Sequence, residues 1–344
     1  MPEPVLLPVL AAYGFSPACS CVPVTGGLIN QTYRVEEADR RVALQRLNAI
    51  FRPTVNLDID AITTHLSQRG LTTPRMVRTT VDGLWTTDEQ GGVWRALSWL
   101  DGQTVHSVSR PETAHAAGGL VGRFHRAVSD LEHSFQFSRP GAHDTKLHLS
   151  RLRVALSSNT QHAHYPAVAR VGEAILAHAE ALEALPVDPV RLIHGDLKIS
   201  NILFDDDGEA RALLDLDTMA YLTIPIELGD ALRSWCNPAG EDSSVATFQS
   251  DVFEAAIRGY AASAGSMLTA DERAALPLGA ETISLELAAR FCADALLESY
   301  FGWNPDKFAS RSLHNLARAE SQLAVAESIR VQRPALAAIV RSAF

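Results

Sequence analysis

The sequence predicts an α+β protein of two lobes, with an antiparallel sheet in residues 1–100 and a mostly helical region in residues 101–344. Before residue 100, short segments alternate apolar and polar residues between glycine-containing turns, as half-buried strands do. From Pro111 onward, apolar residues recur every three or four positions, which is the spacing of one helix face. A chain of 344 residues is long enough to form two substantial cores.

Composition and charge exclude several classes of protein. The formal net charge is −10 and long basic runs are absent, whereas a protein that binds nucleic-acid phosphates is expected to carry a basic excess. No apolar run reaches the roughly 18 residues that cross a bilayer, and the proline-containing, non-basic N-terminus is unlike a signal peptide. Four cysteines are too few for a disulfide framework. We therefore expect a cytoplasmic protein with reduced thiols and neither a nucleic-acid nor a membrane partner.

The N-terminal lobe is predicted to contain five strands and two helical segments. Residues 1–15 indicate a short helix or arm, and residues 22–47 indicate three strands, the first two joined by a turn with Gly26 and Gly27. Residues 56–67 predict a helix capped by Asn56 or Asp58. Two more strands are predicted around residues 75–79 and 93–99, with a turn between them. The alternating pattern that indicates strands stops at a short connector, from Trp99 to residue 102.

The C-terminal lobe is predicted to be helical around one interruption. Helices are expected in residues 111–131, 147–156 and 167–185, in a segment beginning at residue 226, and in two long C-terminal stretches joined by a Gly-Trp-Asn-Pro turn. Between them, residues 192–218 predict a strand, a polar loop, a strand, an acidic turn and a further strand.

This interruption carries the residues with the clearest chemistry. The segment HGDLKISN, residues 194–201 and called here the HGD loop, contains Asp196, Lys198 and Asn201, and the next strand ends at Asp215. Phosphoryl transfer needs a carboxylate that orients a hydroxyl, a cation near the transferred group, and hard oxygen ligands for Mg²⁺. We therefore predict that Asp196 orients the hydroxyl, that Lys198 neutralises charge on the phosphate, and that Asn201 and Asp215 bind Mg²⁺. A solvated loop lysine is the alternative for Lys198.

The same segment resembles the protein-kinase-like phosphotransferases, whose catalytic loop reads HRDLKxxN and whose metal-binding Asp opens DFG. Gly195 in place of Arg, and DLD in place of DFG, are similar to the aminoglycoside phosphotransferase and choline kinase branch. The resemblance implies a bilobal protein-kinase-like fold with ATP and Mg²⁺ as cofactors. It also implies that Asp230, near a helix start, steadies the loop. His194 is expected to brace the loop by hydrogen bonding, and Asp217 is grouped with these supporting residues.

The resemblance also implies where the nucleotide binds. The glycine turn would cover the phosphates, and the connector after the last strand would meet the adenine. The family places a lysine at the end of the third strand, where this chain has Gln45 in the matching phase and Arg46 beside it on the opposite face. The two alternatives stay open, as do Asp58 and Asp60 for the paired helix carboxylate. The nucleotide-binding candidates are Gly26, Gly27, Asn30, Gln45, Arg46, Trp99 and Leu100.

The C-terminal pattern RF-x-x-D…YF…HNL-x-R-x-x-x-Q, with GGLINQTY, ALQRLN and LLDLDT, resembles bacterial N-acetylhexosamine 1-kinases. This implies a small-molecule acceptor that is a sugar, with Arg290, Asp294, Asn315 and Arg318 as contacts. Exposed arginines paired with Glu286 or Glu320 are the alternative. A rival function is a kinase of an amino alcohol or aminoglycoside, such as choline, homoserine or an aminoglycoside. A rival of another class is a catalytically silent nucleotide-binding module, which only the missing strand lysine favours.

Overall fold

The computed structural model describes residues 4–24 and 30–344, and the chain forms two compact units. The first, called the N-terminal unit, consists of the described part of Met1–Gln103 together with Ala127–Ser138 and Arg211–Thr218. The second, called the C-terminal unit, consists of Thr104–Arg126, Arg139–Ala210 and Met219–Phe344. The N-terminal unit therefore includes two segments that lie far beyond residue 100. Gly26 and Gly27 lie outside the described residues.

An antiparallel sheet forms the centre of the N-terminal unit. In the described residues it has six strands: β1 (Ser20–Val24), β2 (Gln31–Glu37), β3 (Arg40–Arg46), β4 (Met76–Val77), β5 (Thr86–Thr87) and β6 (Val93–Ser98). The order is β1-β2-β3-β6-β4, and β5 also pairs with β6. The α+β class is confirmed, but the prediction of five strands was wrong. The additional strand is β5, because the glycines after it close a tight hairpin in which the Asp88 amide donates to the Gly92 carbonyl at 2.9 Å.

The two faces of this sheet differ in chemistry. One face packs against a short 3-10 helix (Pro4–Leu6) and helix α1 (Leu7–Ala12), and this core buries Leu10, Val35, Leu44 and Trp94. Because side chains alternate along a strand, the neighbouring positions lie on the opposite face. There the strand register aligns Thr32 of β2, Gln45 of β3 and Arg95 of β6. The face away from α1 therefore carries a row of polar side chains.

Helix α2 (Val55–Gln68) follows the third strand, one residue earlier than predicted. Its N-cap is Thr54, which makes no side-chain capping bond, so the predicted caps Asn56 and Asp58 both lie inside the first turn. Asp58 instead accepts from the backbone amides of Gln136 at 2.8 Å and Phe137 at 3.0 Å. This carboxylate therefore holds the segment Ala127–Ser138 within the N-terminal unit.

The C-terminal unit is mostly helical, as predicted. Its described helices are α3 (Pro111–Val128, with its last two residues in the N-terminal unit), α4 (Thr145–Ser158), α5 (Tyr165–Glu180), α6 (Ile224–Trp235), α7 (Ser250–Ala264), α8 (Ala270–Ala274), α9 (Leu276–Leu297) and α10 (Arg311–Ala343). Strands β7 (Arg191–Ile193) and β10 (Ala220–Leu222) form a small antiparallel sheet. Strand β8 (Ile202–Phe204) precedes the acidic turn, and β9 (Ala210–Leu213), which follows the turn, has its last three residues in the N-terminal unit. Within the described chain, no helix combines the length and apolar character needed to cross a bilayer.

The start of α6 is fixed by a very close approach to α9. A Cβ atom placed on Gly229 would lie 2.5 Å from the carbonyl oxygen of Gly279, and one placed on Gly279 would lie 2.0 Å from the carbonyl oxygen of Pro225. Only glycine permits such backbone contact, so both positions require it. This close packing fixes the position of α6. It thereby also fixes Glu227 and Asp230, the acidic residues in the first two turns of α6.

Candidate active site

The HGD loop begins directly after β7 and depends on a glycine. Gly195 has φ of 82°, in the left-handed region where a Cβ atom would meet steric strain. Glycine therefore suits this position, where any other residue would bring a Cβ atom into a strained contact with the backbone. This explains in physical terms why glycine occupies the position where the protein-kinase pattern has arginine.

The loop brings Asp196, Lys198 and Asn201 together within the C-terminal unit. Lys198 Nζ lies 2.9 Å from Asp196 Oδ2. Asn201 Nδ2 donates to the Asp196 backbone carbonyl at 2.8 Å and to Asp196 Oδ2 at 3.1 Å. The Asp196 carboxylate is thus held by an amide on one side and a cation on the other. Because the amide nitrogen of Asn201 is committed to Asp196, its carbonyl oxygen is the atom suited to a hard metal ion.

Glu227, in the first turn of α6, holds the backbone of the HGD loop. Its Oε1 accepts from the His194 amide at 2.8 Å and its Oε2 accepts from the Gly195 amide at 3.0 Å. Glu227 is 1% exposed, so both hydrogen bonds are shielded from solvent. Trp235 adds a further contact because its Nε1 donates to the Leu197 carbonyl at 2.7 Å.

Asp230, which the resemblance also assigns to steadying the loop, makes different contacts, and that role stays a prediction. Asp230 pairs with Arg233, whose Nη2 donates to Asp230 Oδ1 at 2.8 Å. Burial alone would raise the pKa of Asp230, but the charges of Arg233, His143 and Lys198 outweigh it and lower that pKa below its ordinary value. Asp230 therefore acts as a buried anion among several cations.

His194 is fully buried, and its role in bracing the loop stays a prediction. The Asp196 amide donates to His194 Nδ1 at 3.3 Å. Nδ1 is the acceptor in this contact. The imidazole thus orients the backbone of the residue that follows the bend.

Asp215 lies in the N-terminal unit, two residues after the end of β9, and its backbone has an unusual conformation. Its φ is 60°, in the left-handed region that residues other than glycine seldom adopt. A 3-10 helix (Leu216–Thr218) follows immediately. Strained conformations of this kind concentrate at functional sites, where the surroundings hold them in place.

The polar face of the N-terminal sheet contains a buried cation that the sequence interpretation missed. Arg95 Nη1 and Nη2 donate to the two carboxylate oxygens of Asp217 at 2.5 and 2.8 Å, and Arg95 Nε donates to Gln45 Oε1 at 2.9 Å. Asn30 Nδ2 also donates to Asp217 Oδ2, at 2.7 Å. The signal that could have found Arg95 was the register that aligns β3 with β6, which places it opposite Gln45.

Gln45 and Arg46, the two candidates for the place of the family's strand lysine, contact different partners. Gln45 contacts Arg95, whereas Arg46 Nε lies 3.5 Å from Asp88 Oδ2. Neither candidate helix carboxylate contacts them in the described structure: Asp58 holds the 133–137 segment, and Asp60 Oδ2 lies 3.2 Å from Arg78 Nη2. An arginine of β6, Arg95, and Asp217 thus form a buried ion pair in this unit.

The connector after β6 is anchored to β3. The Trp99 amide donates to the Arg41 carbonyl at 3.3 Å, and the guanidinium of Arg34 lies 5.7 Å from the centre of the Trp99 ring. Leu100, which follows, is half-buried. Both residues remain predicted nucleotide contacts.

The four predicted acceptor residues surround the segment that joins α9 to α10. Asp294 accepts from the amides of residues 299, 300 and 301, each at 2.9 Å, and from Asn315 Nδ2 at 2.9 Å. Arg318 Nη1 donates to the Gly302 carbonyl at 2.7 Å, and the Arg290 guanidinium lies 5.5 Å from the centre of the Phe301 ring. These side chains hold residues 299–302 in place, so their contacts are with the connector.

The alternative for the two arginines placed them in ion pairs with Glu286 or Glu320. Glu286 instead accepts from the Thr145 hydroxyl at 2.7 Å, and Glu320 lies 3.8 Å from Arg170. The arginines are thus arranged around the connector and its aromatic rings.

Comparison with known proteins places these features in a family. Residues 20–266 match the phosphotransferase enzyme family, APH. An aminopropanol kinase associated with a microcompartment is 17% identical, with a TM-score of 0.66 over 96% of this chain and 98% of its own. Amicoumacin kinase hAmiN, solved with AMP-PNP, Ca²⁺ and its ligand, is 15% identical, with a TM-score of 0.62 over 92% of each chain. An aminoglycoside phosphotransferase from Alicyclobacillus acidocaldarius is 16% identical, with a TM-score of 0.62 over 97% of this chain and 98% of its own. The predicted protein-kinase-like fold is confirmed.

Proposed function

We propose that this chain, which belongs to the phosphotransferase enzyme family, transfers the γ-phosphoryl group of ATP to a hydroxyl group of a sugar. Membership of the family makes the chain a phosphotransferase. ATP as donor, Mg²⁺ as metal and an N-acetylhexosamine-like acceptor are the parts of this statement that we propose. A cytoplasmic location belongs to the same proposal.

The environment of Asp196 is the observation that best supports phosphoryl transfer to a hydroxyl group. The carboxylate is partly exposed, lies 2.9 Å from Lys198 Nζ and is oriented by the Asn201 amide. A carboxylate in this setting can accept the proton of an attacking hydroxyl, and the adjacent lysine can neutralise the charge that develops on the phosphate. Glu227 keeps the loop rigid, so the groups need little reorganisation when the reaction occurs.

Each of the two predicted metal-binding residues, taken by itself, carries an oxygen donor of the kind that a magnesium ion prefers. We assign Asn201 Oδ1 and the Asp215 carboxylate as its protein ligands, because Mg²⁺ prefers hard oxygen atoms and is usually held by one or two carboxylates together with substrate phosphates. When bound, the ion would neutralise negative charge on the phosphate oxygens. The protein's own part is to present Asn201 Oδ1 by engaging the amide nitrogen and to hold Asp215 in its left-handed conformation.

A sugar acceptor is supported by the C-terminal sequence pattern and by local charge. Arg290 and Arg318 both lie around residues 299–302, and two cations near an acceptor disfavour a polycationic ligand. The competing acceptor is an amine-bearing alcohol, because two of the similar structures are named for aminopropanol and for aminoglycosides. These names favour an amine only by analogy of fold.

The test is a competition assay in which the purified protein, ATP and Mg²⁺ are offered N-acetylglucosamine, N-acetylgalactosamine, galactose, choline, homoserine and kanamycin. Phosphorylated products are identified by mass spectrometry, and ADP release is measured with and without each acceptor. We expect acceptor-dependent ADP release with a sugar. Products confined to the amines would overturn the sugar assignment, and ATP binding without turnover on any acceptor would favour the silent module.

A further inference from the structure

The buried ion pair between Arg95 and Asp217 joins β6 to the 3-10 turn after Asp215. It is formed by an arginine of β6, whereas the kinase pattern places its cation, a lysine, at the end of the third strand. Arg95 is 1% exposed, and its guanidinium donates to Gln45 and to both oxygens of Asp217. A side chain so enclosed and so fully engaged cannot also reach a nucleotide phosphate without leaving its partners. Arg95 must therefore act through the residues that it contacts.

Asp217 is equally committed. Its Oδ1 accepts from Arg95, and its Oδ2 accepts from Arg95 and from Asn30 at 2.7 Å. Asn30 is itself tied to the end of β3, because the Asn48 amide donates to Asn30 Oδ1 at 2.9 Å. A two-pronged guanidinium contact satisfies both oxygens and fixes the plane of the carboxylate. These contacts make Asp217 an anchor and not a second metal ligand.

The anchor lies two residues after Asp215. With φ of 60°, Asp215 occupies a conformation that persists only where the surrounding structure over-determines it. Asp217 supplies that constraint from the C-terminal side, since the 3-10 turn from Leu216 to Thr218 leaves little freedom between the two carboxylates. The β6 strand thus holds the turn that contains the Asp215 carboxylate.

We propose that the Arg95–Asp217 ion pair, braced by Gln45 and Asn30, is a positioning device that fixes Asp215 for metal binding. The inference rests on the proposed function for the role of Asp215. Arg95 and Asp217 are positioning residues, and neither touches the metal. Outer contacts that orient a metal ligand commonly change metal affinity by about 10- to 100-fold when removed.

The test is a double-mutant cycle read by metal binding. Mn²⁺ binding in the presence of ADP is followed by electron paramagnetic resonance for the full-length wild type, Asp217→Asn, Arg95→Met, and the double variant, alongside Arg95→Lys. We expect each single variant to weaken Mn²⁺ binding by about 10- to 100-fold. The double variant should be no weaker than the weaker single variant, because the two side chains act as one unit. Arg95→Lys, which keeps the charge, should recover part of the affinity.

Two other outcomes would overturn the proposal. If Asp217 ligates the metal directly, Asp217→Asn will be far weaker than Arg95→Met, and the two effects will multiply in the double variant. If the pair only stabilises the fold, melting temperatures will fall while Mn²⁺ binding per folded molecule stays unchanged. Should Arg95→Met fail to fold because it leaves a buried carboxylate, the comparison of Asp217→Asn with the double variant still decides, and equal affinities are expected.

The matched control is Asp82→Asn, a carboxylate-to-amide change at an exposed ion pair of the same unit, 3.5 Å from Arg78. It should leave Mn²⁺ binding unchanged. The measurement needs no acceptor and no turnover. A protein that binds Mn-ADP through this device and phosphorylates nothing would refute the proposed function alone, and an active kinase insensitive to these variants would refute the inference alone.

Discussion

One oxygen of the Glu227 carboxylate accepts a hydrogen bond from the backbone amide of Gly195 at 3.0 Å, and the other oxygen accepts one from the amide of His194. One buried side chain of α6 thus determines the path of the two peptides that precede Asp196. Three residues of the loop then carry the proposed chemistry, while α6 itself is fixed by its glycine contact with α9.

Glu227→Gln should impair the loop without removing any reacting group. The amide side chain retains one acceptor and loses the other, so one buried backbone amide is left unpaired at a cost of about 1–3 kcal/mol. We expect a corresponding loss in the free energy of unfolding from urea titration. Turnover should fall roughly 10- to 100-fold because Asp196 is misplaced. Glu254→Gln, at an exposed ion pair with Arg258, is the control and should change neither quantity.

Gly195→Ala should be costly because position 195 has φ of 82°. Forcing alanine into the left-handed region costs about 1–2 kcal/mol, and relaxation of the strain would move Asp196. Gly208→Ala is the matched control, since Gly208 has φ of 84° with open space around its missing Cβ atom. Both variants should lose similar stability, and only Gly195→Ala should lose turnover. Equal turnover in the two variants would contradict a catalytic role for the loop.

Lys198→Met separates a phosphate-neutralising lysine from a solvated one. If Lys198 stabilises developing charge, turnover should fall by roughly 10²-fold while the KM for the acceptor changes little. Lys146→Met, at an exposed position of α4, serves as the control. Unchanged turnover in Lys198→Met would support the alternative that this residue is a solvated loop lysine.

Asp230→Asn should reveal how the stability contributed by the buried Asp230–Arg233 ion pair depends on pH. The folded-state pKa of Asp230 lies below its ordinary value, so its stabilising effect is complete above the unfolded pKa of about 3.9 and is lost as the pH falls through the folded value. At pH 7 the variant should be about 1–3 kcal/mol less stable, because Arg233 loses its buried partner but keeps Glu241 at 3.0 Å. The difference should shrink below about pH 4, as measured by chemical unfolding at several pH values. A difference that persisted unchanged to pH 2 would contradict the assignment.

Local sequence patterns were sufficient for α3 to α6, α9 and α10 and for the grouping of Asp196, Lys198 and Asn201, because both depend on short spacings, whereas α7 and α8 were not predicted. They were insufficient for Glu227 and Arg95. Glu227 occupies the first turn of a helix, where an acidic residue is expected for the helix dipole alone. Arg95 interrupts an apolar strand, and its meaning depends on the long-range register that aligns it with Gln45.

The C-terminal connector illustrates the same limit. The sequence predicted two C-terminal helices joined by a turn, which α9 and α10 confirm, but a sequence pattern does not reveal which atoms a polar side chain will bind. Asp294 accepts three consecutive backbone amides from residues 299–301. Such bonds form only once the chain has turned between α9 and α10.

The most direct test of the account is phosphoryl transfer by Asp196→Asn, measured as single-turnover transfer of labelled phosphate from ATP to the best sugar acceptor. The substitution keeps the shape of the side chain and removes the base. We predict a loss of at least about 10²-fold in transfer rate, with ATP affinity close to that of the wild type. Transfer at a near-normal rate would contradict the assignment of Asp196 and, with it, the proposed function of the HGD loop.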